Sequence, residues 1–180
     1  MSSIEELRAF ALVYNSKSNS EQELWKKTIT NKKQVLSKNV SSCISMCNSV
    51  LDDIAKNISN NFPSDPILTT YSGVISSIIT NKPEQLISMF IISIYKNDSY
   101  RVNILLENDD FFISNKYEEL KDNSDIDIMF KFKKYWKDMN GGLQDYVKKS
   151  MKTLVKIAEK YIESIGDMQD ITELEAKIKN

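Results

Sequence analysis

The sequence predicts an all-α fold, a single-domain helical bundle of seven or eight helices over residues 1–180. Apolar residues recur at steps of three and four along most of the chain, as on the buried face of a helix. Glycine and proline number only four and three, and neither occurs before Pro63. No stretch alternates strands with helices as a parallel sheet requires. A chain of this length is long enough to bury one sizeable core.

The starts of the first two helices are marked by serine and glutamate three residues apart. Ser3 with Glu6 has the capping-box spacing, and Ser20 with Glu23 repeats it after a polar joint. We expect the second helix to be very long, from about residue 21 to residue 60, because neither glycine nor proline occurs before Pro63. A helix that breaks near Thr30 and Asn31 is the alternative. Its expected buried positions near the start are Leu24, Trp25, Thr28 and Ile29. They continue as a heptad-like seam of Leu36, Val40, Cys43, Cys47, Val50, Ile54 and Ile58, broadened by Ile44, Met46 and Leu51.

Two prolines open the next helices. Asp65 is a cap for a helix that starts at Pro66, and Pro83 restarts the helical pattern. The run Leu86–Tyr95 then predicts the central buried helix. It has about half of the roughly 20 residues that a membrane-spanning helix needs, so no membrane span is expected.

The second half of the chain contains the least regular stretch. Asp98 or Ser99 is expected to cap a short helix, and an irregular acidic loop is expected at about residues 108–124. A helix that opens at Asp125 and contains residues 128–142 should follow and end at the Gly-Gly pair. A strong amphipathic helix should then run to a C-terminal cap at Gly166, before a short final helix.

The segment IMFKFKKYWKDMNGG, residues 128–142, alternates lysines with aromatic rings. Such a pattern suits either a stacking platform for single-stranded nucleic acid or a helix with one buried side. Helical spacing places Phe132, Tyr135 and Trp136 together and puts Lys131 and Lys134 opposite. We therefore expect the rings to belong to the core.

Several kinds of catalytic site lack the residues they need. The chain has no histidine, which excludes Ser-His-Asp and Cys-His catalysis. Its two cysteines cannot supply the usual four ligands of a structural zinc, and with no secretory signal they are expected to be reduced core thiols. There is no glycine-rich phosphate loop. We therefore predict no catalytic, cofactor-binding or metal-binding residues, although Asp52–Asp53 or Asp109–Asp110 keep a carboxylate or metal-dependent enzyme open as an alternative.

Two groups of residues are candidates for binding a partner. Phe111 and Phe112 follow two aspartates and form either an exposed docking motif or anchors of the loop to the core. Charge is also segregated, with nine acids between Asp98 and Asp127 and nine lysines between Lys131 and Lys160. Lys148, Lys152, Lys156 and Lys160 recur at every fourth residue, with Lys149 beside them; we call these four the basic stripe. It is a solvated face paired with the chain's own acids, or a docking surface for phosphates or an acidic protein.

The chain uses a few residue types very often and arginine rarely. Isoleucine, asparagine and lysine account for 22, 16 and 22 residues, while arginine occurs only at Arg8 and Arg101. Together with the stretch KPEQLISMFIISIYKNDSYRVNILLENDDFF, this usage resembles small helical proteins of large nucleocytoplasmic DNA viruses related to mimiviruses. The resemblance implies a virion component or an infection-stage interaction protein.

The predicted function is that of a non-enzymatic helical interaction or structural protein, a component of a viral particle or another assembly. Its expected partners are other protein subunits, either copies of itself or assembly partners, and no cofactor is expected. The alternative is a protein that binds nucleic acid weakly and without sequence preference through the basic stripe. The N-terminus lacks a signal peptide, so we expect a cytoplasmic or virion location and no secretion.

Overall fold

The computed structural model describes residues 3–114 and 128–179, and every regular element in these ranges is helical. The predicted all-α fold, with seven or eight helices and one very long helix, is confirmed there. In chain order the elements are α1 (Ile4–Leu12), a 3₁₀ turn (Tyr14–Ser16), α2 (Asn19–Asn61), α3 (Pro66–Asn81), α4 (Gln85–Phe90), a π-helix (Ile91–Tyr95), α5 (Asp98–Leu105), α6 (Asp109–Ile113), a 3₁₀ helix (Lys131–Asp138) and α7 (Gly141–Lys179).

The chain divides into two compact units. Unit 1 comprises Met1–Ser42 and Lys160–Asn180, and unit 2 comprises Cys43–Glu159. The long helices α2 and α7 each contribute residues to both units. The single-domain organisation stays a prediction.

Unit 1 is held together by aromatic packing between α1 and the start of α2. The Trp25 ring stacks on Phe10, with centroids 6.2 Å apart, and meets Tyr14 edge-on at 5.5 Å. The Trp25 indole N–H also donates to the carbonyl of Leu7, at 3.4 Å. Ile171 of α7 is fully buried in the same cluster. Each buried aromatic ring contributes a large apolar area, so Trp25 is the centre of this unit.

The capping prediction for α1 is confirmed, whereas that for α2 is two residues late. Ser3 and Glu6 form a complete capping box. For α2 the box is Ser18 with Glu21, in which the Ser18 backbone N–H donates to the Glu21 carboxylate at 2.9 Å. Ser18 has the same three-residue spacing to a glutamate as Ser20 has, and the helix begins at Asn19.

Unit 2 contains the predicted central helix and the part of the α2 seam that starts at Cys43. Cys43, Cys47, Ile54 and Ile58 are all buried, and both cysteines are free thiols. Two predicted positions of α2 are exposed instead of buried: Met46, which is half exposed, and Leu24 in unit 1, which is 66% exposed. Four more are only half-buried, namely Thr28, Val40, Ile44 and Val50. Leu86, Ile87, Phe90 and Ile94 are fully buried in and after α4, which confirms the central helix.

Asparagine rather than aspartate or serine caps α5. Asn97 accepts a hydrogen bond from the backbone N–H of Tyr100 at 3.2 Å, so the predicted caps Asp98 and Ser99 lie inside the helix. Asparagine caps helices as well as aspartate does. The predicted cap Asp65 of α3 is confirmed, since its carboxylate accepts from the backbone N–H of Ile67 at 2.8 Å.

Neither the Gly-Gly pair nor Gly166 ends a helix as predicted. The segment before the Gly-Gly pair contains a 3₁₀ helix over Lys131–Asp138, and its predicted start at Asp125 lies outside the described residues. Gly141 begins α7, and the side chain of Asn140 caps it by accepting from the backbone N–H of Leu143 at 2.9 Å. No glycine in the described ranges has the left-handed backbone of a C-terminal cap, and α7 continues through Gly166. A glycine inside a helix costs about 1 kcal/mol. The burial of Ile171 and Leu174 exceeds that cost, so the predicted cap and separate final helix were wrong.

The predicted acidic loop at residues 108–124 begins as a helix. Asn108 caps the short helix α6, and two aspartates occupy its first turn, where the helix dipole favours negative charge. Residues 115–124 lie outside the described residues, so the rest of this prediction is not tested.

Candidate functional site

The first two lysines of the basic stripe are bound by the chain's own acids. The Lys148 ammonium lies 2.9 Å from Asp109 and 3.3 Å from Asp145. Lys152 pairs with Glu107 at 2.9 Å. The hydrogen bond to Asp109 raises the pKa of Lys148, and the hydrogen bond from Lys152 lowers the pKa of Glu107. This half of the stripe is therefore an intramolecular contact between α7 and the corner that joins α5 to α6.

That corner has an unusual backbone. Glu107 has a φ of 52°, in the left-handed region where glycine is favoured. The turn is closed by the backbone N–H of Glu107, which donates to Ile104 at 3.1 Å, and by that of Asn108, which donates to Asn103 at 3.0 Å. Within this turn, the Glu107 carboxylate pairs with Lys152.

The other two lysines of the basic stripe, Lys156 and Lys160, are exposed to solvent. Lys156 belongs to unit 2 and Lys160 to unit 1. Lys149 is also exposed, although its charge is close enough to Glu107 to contribute to the lowered pKa of that carboxyl. The stripe is thus partly neutralised and partly open.

The two phenylalanines of the DDFF sequence pack within the protein. Phe112 is completely buried, and its ring stacks on Trp136 with centroids 4.8 Å apart. Phe111 is half-buried and meets the Phe130 ring edge-on at 5.9 Å. Trp136 is itself only 2% exposed, so its ring lies in the core as expected. A docking role for the phenylalanines stays a prediction, and in this conformation both rings anchor α6.

Sequence reasoning missed the buried Lys133. Its side chain is 3% exposed, and its ammonium lies 4.1 Å from the centroid of Phe111 and 5.2 Å from that of Phe130. Burial lowers the pKa of Lys133 to about 8. The segment after residue 130 is a 3₁₀ helix, in which residues three apart are aligned, so Lys133 lies in one row with Phe130 and Trp136. The α-helical spacing assumed from the sequence conceals this row.

Helix α1 is bordered by two grooves in unit 1, and each has an exposed leucine on its wall. The α1–α2 groove, of about 400 Å³, is lined by Phe10, Trp25 and Leu24, which is 66% exposed. The α1–α7 groove, of about 640 Å³, is lined by Ala11 and by Leu12, which is 89% exposed. Leu12 and its neighbour Val13 lie outside the buried stripe of α1. The sequence does contain a signal for this surface, because these two adjacent apolar residues lie off the apolar stripe of the helix.

The α1–α7 groove also has a mixed set of charges. Arg8 of α1 forms an ion pair with Asp170 of α7 at 2.8 Å. Glu173 and Lys177, one helical turn apart on α7, are exposed on the same groove. Acidic and basic side chains thus surround the apolar wall formed by Leu12 and Ala11.

Two of the four carboxylates suggested as an enzymatic alternative, Asp52 and Asp109, contact other side chains of the chain. Asp52 accepts from the Ser76 hydroxyl at 3.2 Å and pairs with Lys56 at 2.5 Å. Asp109 is the partner of Lys148. Over residues 3–114 and 128–179, no three side chains of the His, Cys, Asp and Glu types form a group suited to a metal ion.

The chain matches no protein-family model, no curated protein and no solved structure. In the part of the chain that is described, every helix is too short or too polar to cross a lipid bilayer. A function must therefore be inferred from the surfaces of the molecule itself.

Proposed function

We propose that this is a non-enzymatic helical interaction protein that joins a larger assembly through the surface of α1. The observation that carries the proposal is the pair of exposed leucines, Leu12 and Leu24, on the walls of the two grooves beside α1. Resemblance in residue usage makes a viral particle the first assembly to consider.

The physical argument concerns the cost of leaving leucines in water. Burying a leucine side chain fully is worth about 1.5–3 kcal/mol, so a partner that covered both leucines would gain several kcal/mol. Apolar side chains beside a groove are the usual means by which a folded surface receives an amphipathic segment. Phe10 and Trp25, which line the α1–α2 groove, are rings of the kind enriched at binding interfaces.

The test is capture of partners by immobilised full-length protein from an extract of its natural source. We expect the wild-type protein to retain a defined set of proteins that the double variant Leu12→Glu, Leu24→Glu does not retain. Leu106→Glu is the matched control, because Leu106 is 72% exposed but belongs to unit 2. Capture that is equal for the double variant and the wild type would exclude the α1 surface as the interaction site.

Nucleic-acid binding is the second candidate, favoured by the exposure of Lys149, Lys156 and Lys160. The ion pairs of Lys148 and Lys152 oppose it, because phosphates would have to displace Asp109 and Glu107. The array of four lysines that could contact successive phosphates is thereby reduced to Lys156 and Lys160. We therefore rank this function below protein interaction.

A further inference from the structure

We infer that the α1–α7 groove is the contact surface for a second copy of this chain, in a two-fold symmetric dimer. The inference rests on the proposed function and names one partner for it. A two-fold interface uses the same patch on both copies, so that patch must be complementary to itself. The groove meets this condition both in shape and in charge.

The shape argument concerns Leu12. It is 89% exposed on the wall of a groove of about 640 Å³ whose other wall includes Leu174 of α7. One patch therefore offers both a protruding apolar side chain and a recess that can receive one. In a two-fold dimer, Leu12 of each copy covers the groove of the other, and both leucines leave water together.

The charge argument concerns Glu173 and Lys177. They are exposed and four residues apart on one face of α7, which is about 6 Å along the helix axis. When two copies of the α7 end lie antiparallel about a midpoint between these positions, Glu173 of each copy faces Lys177 of the other. Symmetry thus creates two identical ion pairs from one acidic and one basic residue.

A foreign partner of one charge sign fits the groove less well. The charged side chains on its walls are Arg8 and Lys177 against Asp170 and Glu173, two of each sign. A strongly acidic or strongly basic segment would meet two like charges whichever it was. A second copy presents the same two acidic and two basic side chains. The charge pattern therefore favours self-association.

The first test is the oligomeric state of the full chain across a concentration series, by sedimentation or light scattering. We expect a monomer–dimer equilibrium with a Kd in the micromolar range, as for a small interface. Leu12→Glu removes two buried leucines per dimer and should weaken association at least about 100-fold. Leu106→Glu, in unit 2, should leave the Kd unchanged.

The second test uses charge exchange, which only a self-complementary surface can satisfy. Glu173→Lys and Lys177→Glu should each weaken self-association, by about tenfold, because both ion pairs become like-charge contacts. An equimolar mixture of these two variants should associate again, since one chain then carries only basic and the other only acidic side chains at the two positions. The double variant in one chain should likewise associate as the wild type does.

Three results would overturn the inference. A wild-type protein that is monomeric at about 100 µM excludes the dimer. Association that Leu12→Glu leaves intact locates the contact elsewhere. Charge variants that behave like the wild type, alone and mixed, exclude the antiparallel arrangement of α7. A monomeric wild type that still captures partners through Leu12 and Leu24 would reject the second copy alone, whereas loss of that capture difference would reject the proposed function.

Discussion

The corner around α6 in unit 2 and the surface of α1 in unit 1 use their side chains in opposite ways. Around α6, the residues that look functional in the sequence are turned to internal contacts, as Phe112 stacks on Trp136 and Asp109 pairs with Lys148. On α1, an unremarkable leucine at position 12 is 89% exposed beside a groove. A conspicuous sequence pattern therefore indicates a strong contact without saying whether that contact is made within the chain or with a partner.

The largest expected effect lies in the α6 corner. Phe112→Ala leaves a cavity beside Trp136 and should lower the free energy of unfolding by about 3–5 kcal/mol. Leu12→Ala, the matched change on α1, should alter stability by no more than about 0.5 kcal/mol, because Leu12 is already in water. Denaturant unfolding of both variants measures the difference. A large decrease in the free energy of unfolding for Leu12→Ala would mean that α1 depends on this leucine for folding. The contrast between the two regions would then not hold.

The next effect concerns Lys133 in the same corner. Its pKa is about 8 in the folded protein and about 10.5 when unfolded, so the unfolded state binds more protons between these values. The contribution of Lys133 to the free energy of unfolding is therefore lowest below about pH 8 and rises towards pH 10.5. Against Lys133→Met, the wild-type protein should gain about 2–3 kcal/mol of relative stability between pH 7.5 and 10.5.

Unfolding curves of both proteins at each pH provide the measurement. The buried thiol of Cys47, whose pKa is raised to about 12, has the opposite effect above about pH 9, but it is present in both proteins and cancels in their difference. A difference that stays constant over this pH range would mean that the Lys133 ammonium is solvated.

The same contrast explains what the sequence could predict. Helices, most of the buried stripes and the burial of Trp136 follow from a period of three to four residues, which is a local property. The cap at Ser18, the passage of α7 through Gly166 and the 3₁₀ row that buries Lys133 depend on competition between local signals and on burial against other helices. The exposure of Leu12 depends on where neighbouring helices end. The spacing of apolar residues along the sequence gives no information about that.

A smaller effect tests the backbone of the corner at Glu107. Its left-handed φ of 52° suits glycine and disfavours alanine, so Glu107→Gly should be more stable than Glu107→Ala. Both variants lose the ion pair with Lys152, which makes each the control for the other. We expect a difference in Tm of about 2–4 °C, measured by thermal unfolding. An alanine variant at least as stable as the glycine variant would show that the corner is not left-handed in solution.

The smallest expected effect concerns nucleic acid and the basic stripe. Four lysines free to contact phosphates would give a slope of log K against log salt of about −3 to −4 on duplex DNA. With Lys148 and Lys152 held by Asp109 and Glu107, any binding should be weak and the slope only about −2. Fluorescence anisotropy of a labelled duplex, from about 50 to 200 mM salt, measures this slope.

Neutralising Glu107 and Asp109 provides a further test of the contrast with α1. The double variant Glu107→Gln, Asp109→Asn leaves Lys148 and Lys152 without these partners, so the slope should steepen by about two and affinity should rise at low salt. Leu12→Glu is the control, because Leu12 belongs to unit 1, whereas the two paired lysines and their acids belong to unit 2. A wild-type slope already near −4 that the acid variants do not change would mean that phosphates displace both ion pairs. The α6 corner would then be a binding surface in its own right, like α1, and the contrast between the two regions would disappear.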